Sequence, residues 1–169
     1  FVKSHDCEVQ RIPGKQVLHC QKLEQKPDLG FVGEIQKVET REILSAMDVG
    51  KMPILSSTGS DKSGQCYNIN ADIAAARVAM ALGARRLVYL SDVPGLLRNP
   101  EDPESLLSSL PVDQVQPLKD EEVIAKGMLP KVNSAVDALK SGVNRVHFID
   151  GRLAHSILLE IFTDQGIGT

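Results

Sequence analysis

Residues 67–90 read Tyr67-Asn68-Ile69-Asn70-Ala71-Asp72-Ile73-Ala74-Ala75-Ala76-Arg77-Val78-Ala79-Met80-Ala81-Leu82-Gly83-Ala84-Arg85-Arg86-Leu87-Val88-Tyr89-Leu90. This stretch predicts a helix from Asn70 to Leu82 followed by a strand from Arg86 to Leu90. The helix is rich in alanine, and small side chains let it lie close on a sheet. The strand is apolar throughout, as expected of one covered on both faces.

Outward from this unit the chain keeps the same rhythm. Met52-Pro53-Ile54-Leu55-Ser56 reads as an apolar strand, and Gly59 to Gly64 as a polar turn. Val38 to Val49 predicts a helix with Ile43, Leu44 and Met47 on one face and Gly50 at its end. Downstream, a loop rich in Pro, Asp and Gly spans Ser91 to Pro103, and a helix runs from Val112 to Glu122 with Pro117 inside it. Pro130 to Ser141 is helical, with Val132, Ala135, Val136 and Leu139 at i, i+3, i+4, i+7 spacing, Pro130 at the first position and Gly142 closing it. Arg145 to Ile149 reads as a strand and Leu153 to Phe162 as a last helix. Residues 1–38 are polar and irregular. Within them Val17-Leu18-His19-Cys20 and Phe31-Val32-Gly33-Glu34-Ile35 read as hairpin arms, with turns at Pro13-Gly14 and Pro27-Asp28. Alternating strands and helices predict an α/β fold: a mostly parallel open sheet with helices on both faces. A break between two lobes is expected near residues 38–50.

The 169 residues suffice for one domain with a real core. A net charge of −3, scattered basic residues and few aromatics argue against nucleic-acid binding. No apolar run approaches the ~20 residues of a membrane span. Cys7, Cys20 and Cys66 lack CxxC spacing and are expected as free thiols in a reducing compartment. His5, His19, His147 and His155 share no metal-ligand spacing, so no protein-built metal site is expected. The opening Phe1-Val2-Lys3-Ser4-His5-Asp6 reads as mid-chain sequence, and the chain is expected to be a piece of a longer protein.

Three clusters carry candidate chemistry. Asn68, Asn70 and Asp72 alternate at a helix start. Asn70 can cap the helix and Asp72 can favour its positive end. Equally, amides there can hydrogen-bond a carboxylate or acyl substrate, and a carboxylate can hold a lysine in place. Ser91-Asp92-Val93-Pro94-Gly95 follows directly on a strand, where open α/β sheets bind ligands; Asp, Pro and Gly are also ordinary turn residues. Lys131, after Gly127-Met128-Leu129-Pro130, is a cation on the first turn of a helix, where the helix dipole disfavours it unless an anion sits beside it. An ammonium fixed there suits a transferring phosphoryl group. The Gly59–Gly64 stretch lacks the GxxxxGK[ST] pattern and reads as a hairpin turn instead.

Together, YNINAD (67–72), LSDVPGLL (90–97), GMLPKV (127–132) and HSILLEIFTDQGIGT (155–169) resemble the amino-acid kinase family, specifically acetylglutamate kinases, over most of the chain from about Leu29. The resemblance implies ATP-dependent phosphorylation of the γ-carboxylate of N-acetyl-L-glutamate in arginine biosynthesis. By position, Asn68 and Asn70 would contact acetylglutamate, Asp72 would orient catalytic lysines, and Lys131 would stabilise the transition state. Ser91, Asp92, Val93, Pro94, Gly95, Leu96 and Leu97, with Val123, Ile124, Ala125, Gly127 and Met128, would line the nucleotide site. Mg2+ would be held by the ATP phosphates. His155, Glu160, Gly166 and Gly168 are similar to the C-terminal pattern of arginine-inhibited members, so arginine is the implied inhibitor. Residues 1–38 would then be a remnant of the acceptor-binding lobe and residues 39–169 the nucleotide-binding lobe. A homo-oligomer, dimer or hexamer, is implied for the full-length protein, in the cytoplasm or, for a plant source, the plastid. The family's first catalytic lysine, glycine-rich loops and substrate-binding arginine have no counterpart here, and an SGKDG-like stretch is altered at Ser4-His5-Asp6-Cys7. The isolated chain is therefore expected to be inactive. Two other readings stay open: a non-catalytic arginine-binding regulatory domain, as in an acetylglutamate synthase, and a nucleotide-sensing or scaffold module.

Overall fold

Short apolar strands separated by polar turns recur along the sequence, and the computed structural model of the chain is built from their pairings, some between neighbours and some between strands far apart in sequence. It describes residues 7–124, 127–163 and 166–169. The strands are β1 (Val9–Ile12), β2 (Leu18–Lys22), β3 (Gly33–Val38), β4 (Met52–Leu55), β5 (Thr58–Ser60), β6 (Cys66–Asn68), β7 (Arg86–Ser91) and β8 (Arg145–Asp150). The helices are α1 (Arg41–Asp48), α2 (Ala71–Leu82), α3 (Val112–Asp120), α4 (Leu129–Lys140) and α5 (Ser156–Phe162). The chain divides into two compact units, residues 1–82 and 83–169.

In the first unit, β1 and β4 pair in parallel, and β3-β2-β5-β6 form a second sheet. The expected hairpin arms are β2 and β3, antiparallel with Cys20 opposite Ile35. The polar stretch after Gly59 is the expected hairpin turn: β5 and β6 pair antiparallel, and Asp61 Oδ1 accepts from the Ser63 and Gln65 amides at 2.8 and 3.0 Å. The core gathers Ile12, Val17, Leu18, Ile35, Ile43, Tyr67 and Ile69. Each such side chain contributes roughly 1.5–3 kcal/mol through removal from water. Helix α2 packs on β3, burying Ala74, Ala76 and Ala79, and Arg77 donates to the Ile35 carbonyl at 2.8 Å.

Helix α1 corrects the expected apolar face. Ile43 and Ala46 are the buried pair, whereas Leu44 and Met47 are exposed. The helix also starts at Arg41, because Val38 is claimed by β3.

In the second unit, β7 and β8 are parallel and in register from Arg86↔Arg145 to Ser91↔Asp150. Tyr89 and Phe148 lie opposite each other with stacked rings 5.3 Å apart, a cross-strand aromatic pair that pins the register. RLVYL is not covered evenly on both faces: Leu87 and Tyr89 are buried, but Leu90 is exposed. Helix α4 begins one residue earlier than expected, so Pro130 is its second residue, still a position whose N–H would find no intrahelical acceptor. It ends as read: the amides of Gly142 and Val143 donate to Leu139 and Ala138 at 3.1 Å each, with Gly142 in the left-handed region at φ +103, the paired bonds of a Schellman motif. Helix α3 accommodates Pro117 and stops three residues later. Helix α5 begins at Ser156 rather than Leu153, because His155 is held left-handed at φ 59, which no right-handed helix can include.

Among the described residues three of the five strand pairings are parallel, so the α/β, mostly parallel expectation is met. No helix among the described residues is long and apolar enough to cross a membrane.

Candidate functional site

The first group of site residues belongs to the unit of residues 1–82. Asn68 is the last residue of β6, and its amide donates to the Phe31 carbonyl at 2.8 Å while its side chain stays exposed. Asn70 caps α2: its Oδ1 accepts from the amides of Asp72 and Ile73 at 3.0 and 3.1 Å. Asp72 is half-buried on the first turn of the same helix, where a carboxylate is favoured by the dipole. The Asn70 amide nitrogen is not consumed by the cap.

The second group lies in the unit of residues 83–169. Ser91 ends β7, and its carbonyl accepts from the Gly151 amide at 2.8 Å, tying the ends of β7 and β8 together. Asp92 is exposed, Val93, Pro94 and Leu97 are half-buried, and Gly95 and Leu96 are buried. The loop is not slack: Leu97 bridges Leu106, and the Leu96 carbonyl accepts from Leu107 N at 2.8 Å. Val123 and Ile124 are anchored by their amides to the Leu118 carbonyl. Ala125 lies outside the described residues. Gly127 is exposed, Met128 precedes α4, and Lys131 is the third residue of that helix, half-buried on the first turn as expected. Among the described residues no cluster of three or more His, Cys, Asp or Glu side chains could hold a metal ion.

The C-terminal group is the most tightly built. Glu160 of α5 points both carboxylate oxygens at partners: Oε1 meets His147 Nδ1 of β8 at 2.7 Å, and Oε2 accepts from the amides of Ile167 and Gly168 at 2.7 and 2.9 Å. Burial resists ionisation of Glu160. The bonds from Ile167, His147 and Gly168 outweigh it, and the carboxyl is held below its ordinary value. An ionised Glu160 requires the proton on His147 Nδ1, which leaves Nε2 an acceptor in the neutral ring; that Nε2 is buried with no hydrogen-bond partner among the described residues. The tail then pairs with β8, Phe148 and Thr169 exchanging backbone bonds at 2.8 and 3.0 Å. Gly168 is required there, because a Cβ would sit 2.2 Å from the Phe148 carbonyl oxygen.

A cavity of about 560 Å³ opens beside this group, with His147, Glu160, Gly166 and Thr169 on its wall and the apolar Val132 and Val136 of α4 also lining it. Of the four residues assigned to an inhibitor, Glu160 and Gly166 line the cavity. His155 stands exposed before α5, and Gly168 is buried in the tail against the Phe148 carbonyl. Sequence reasoning passed over His147 because it weighed histidines only for metal spacing. A polar residue in the middle of the otherwise apolar RVHFI was the available signal. Asp150 and Arg152 were also missed; Arg152 binds Asp150 through Nε and a terminal nitrogen at 2.9 and 2.8 Å and holds its carboxyl down to about 2.

An α/β protein with polar loops at the carboxyl ends of parallel strands is, by class, an open-sheet fold of the kind that binds ligands beyond those strand ends. Residues 3–150 match the amino acid kinase family, and the chain belongs to that family. It is 52% identical over 142 residues to the acetylglutamate kinase of Carboxydothermus hydrogenoformans, covering 84% of this chain and 48% of that protein. It is 48% identical over 157 residues to the acetylglutamate kinase of Moorella thermoacetica, covering 92% of this chain and 53% of that protein. The chain thus spans about half the length of the curated relatives it matches. Among solved structures, N-acetylglutamate synthase from Neisseria gonorrhoeae, complexed with coenzyme A and L-arginine, superposes with a TM-score of 0.83 at 31% identity, over 95% of this chain and 37% of that one. An isopentenyl phosphate kinase superposes with a TM-score of 0.71 over 99% of this chain and 61% of that one, and at 17% identity it speaks to the fold alone.

Proposed function

We propose that the complete protein transfers the γ-phosphoryl group of MgATP to the γ-carboxylate of N-acetyl-L-glutamate. The observation that carries this is the roughly 50% identity to acetylglutamate kinases over most of the chain, joined to a lysine on the first turn of α4 and an amide-rich start to α2. The reaction is attack of a carboxylate oxygen on the γ-phosphorus, with ADP leaving and an acyl phosphate formed. Lys131 sits where an ammonium stabilises charge growing on the phosphoryl oxygens, together with the helix dipole. Asn68 and the free amide nitrogen of Asn70 would hold the acceptor, and Asp72 would orient catalytic lysines. The loop Ser91–Leu97, with Val123–Ala125, Gly127 and Met128, would bind the nucleotide. Mg2+ would be held by the ATP phosphates and would neutralise their charge.

We assign residues 1–38 to the acceptor-binding lobe and 39–169 to the nucleotide-binding lobe. The sheet β3-β2-β5-β6 crosses residue 38 and the compact division falls after Leu82, so this assignment is one of function rather than packing. Arginine is proposed as an inhibitor, bound in the cavity beside His147 and Glu160: apolar walls suit its methylenes, and the anionic Glu160 carboxylate suits its cationic end. A homo-oligomer in the cytoplasm, or in the plastid of a plant, is the proposed setting.

The test is Lys131→Ala in the complete protein. The expected result is a fall in kcat of about 10²–10³-fold with ATP binding little changed. Unchanged turnover removes Lys131 from the chemistry. A second reading, a non-catalytic arginine-binding domain, is favoured by the likeness to the synthase crystallised with L-arginine; it predicts arginine binding with no turnover in the complete protein.

A further inference from the structure

The C-terminal tail touches two places that the sequence keeps far apart. At one end Glu160 grips it through the Ile167 and Gly168 amides. At the other, Thr169 Oγ1 accepts a hydrogen bond from the Leu96 amide at 2.9 Å, a partly buried contact. The approach is close by design of the backbone: a Cβ on Gly95 would lie 2.6 Å from Thr169 Oγ1. Both Leu96 and Glu160 line the same cavity, as does Thr169 itself. Between them, Thr169 is fixed by its two backbone bonds to Phe148 of β8. The path Glu160, tail, Thr169, Leu96 is therefore continuous in hydrogen bonds and contains no slack segment after residue 166.

We propose that Thr169 is a positioning residue that holds the nucleotide-binding loop through the Leu96 amide, and that through it a cationic ligand in the cavity changes nucleotide affinity. This rests on the assignment of Ser91–Leu97 to the nucleotide and of the cavity to arginine. The physical reason is that Leu96 is buried, so its N–H needs an acceptor, and without the Thr169 hydroxyl the loop must shift to find another. A ligand against Glu160 acts on the tail that carries this hydroxyl. By linkage, the nucleotide must change arginine affinity by the same factor.

The experiment compares wild type, Thr169→Val and Thr169→Ser in the complete protein. It measures MgADP affinity by calorimetry with and without L-arginine, and hydrogen exchange at the Leu96 amide. The Val variant keeps the shape and loses the acceptor; the Ser variant keeps the acceptor. The expected result is MgADP binding about tenfold weaker in Thr169→Val, faster exchange at Leu96, loss of the arginine effect, and recovery of all three in Thr169→Ser. A Val variant that binds MgADP as wild type does, with the same arginine response, overturns the proposal while leaving the nucleotide loop assignment intact. A wild type that binds no MgADP overturns the loop assignment and this inference with it. A wild type whose MgADP affinity ignores arginine overturns the coupling alone.

Discussion

Asn70 spends its side-chain oxygen on the amides of Asp72 and Ile73, which makes a simple truncation ambiguous between stability and substrate binding. Asn70→Ala should cost about 1 kcal/mol as a lost cap. Asn70→Ser separates the two roles, because serine caps about as well but has no amide nitrogen to offer an acceptor. Thermal unfolding of the Ser variant should match wild type, while its KM for N-acetyl-L-glutamate rises about five- to tenfold, the worth of one hydrogen bond of roughly 1–1.4 kcal/mol. An unchanged KM would reduce Asn70 to a cap. The cap itself was legible, as one of two readings that an Asn before an alanine-rich helix offered. His147 was not legible in its role, because that role comes from Glu160 on a different element.

At the scale of elements, one carboxylate touches α5, β8 and the tail, which also pairs with β8 through the Phe148–Thr169 backbone bonds. The Glu160 carboxyl titrates below its ordinary 4.5. Its contribution to stability is therefore fully present above that value and is lost as pH falls through the lowered one. Glu160→Gln should be less stable than wild type by about 1–3 kcal/mol at pH 7, and the gap should narrow in urea unfolding at pH 3. A gap independent of pH would mean that shape rather than charge holds the tail. Element positions were readable wherever one periodicity dominated, as in α2, α4, β7 and β8. They failed where tertiary context chose between equal options. Helix α1 offered Leu44 and Met47 as well as Ile43, yet Ala46 is the second buried residue, since a small side chain lets the helix approach its neighbours. The start of α5 was displaced by the left-handed His155, which nothing in the local pattern signals.

For the whole molecule, the α/β class followed from alternation alone, but the partition of the strands did not. Among the described residues five pairings fall into three sheets, and the compact division comes after Leu82, at Gly83, the end of an ordinary helix with no composition shift to mark it. The candidate site was legible as its pieces: two helix starts and a strand-end loop, each with an ordinary structural explanation. What they resemble in combination is the amino-acid kinase family, to which the family match and the acetylglutamate kinase relatives assign the chain; the role of each piece belongs to the proposed reaction. The most direct test of that account is ADP release by the complete protein with MgATP and a panel of carboxylate acceptors. The proposed reaction predicts release that depends on N-acetyl-L-glutamate and is at least 10²-fold lower with unacetylated glutamate or aspartate, since a site built to hydrogen-bond an acyl group rejects acceptors that lack it. Release that is indifferent to the acetyl group, or no release from a folded protein that binds MgADP, would contradict it.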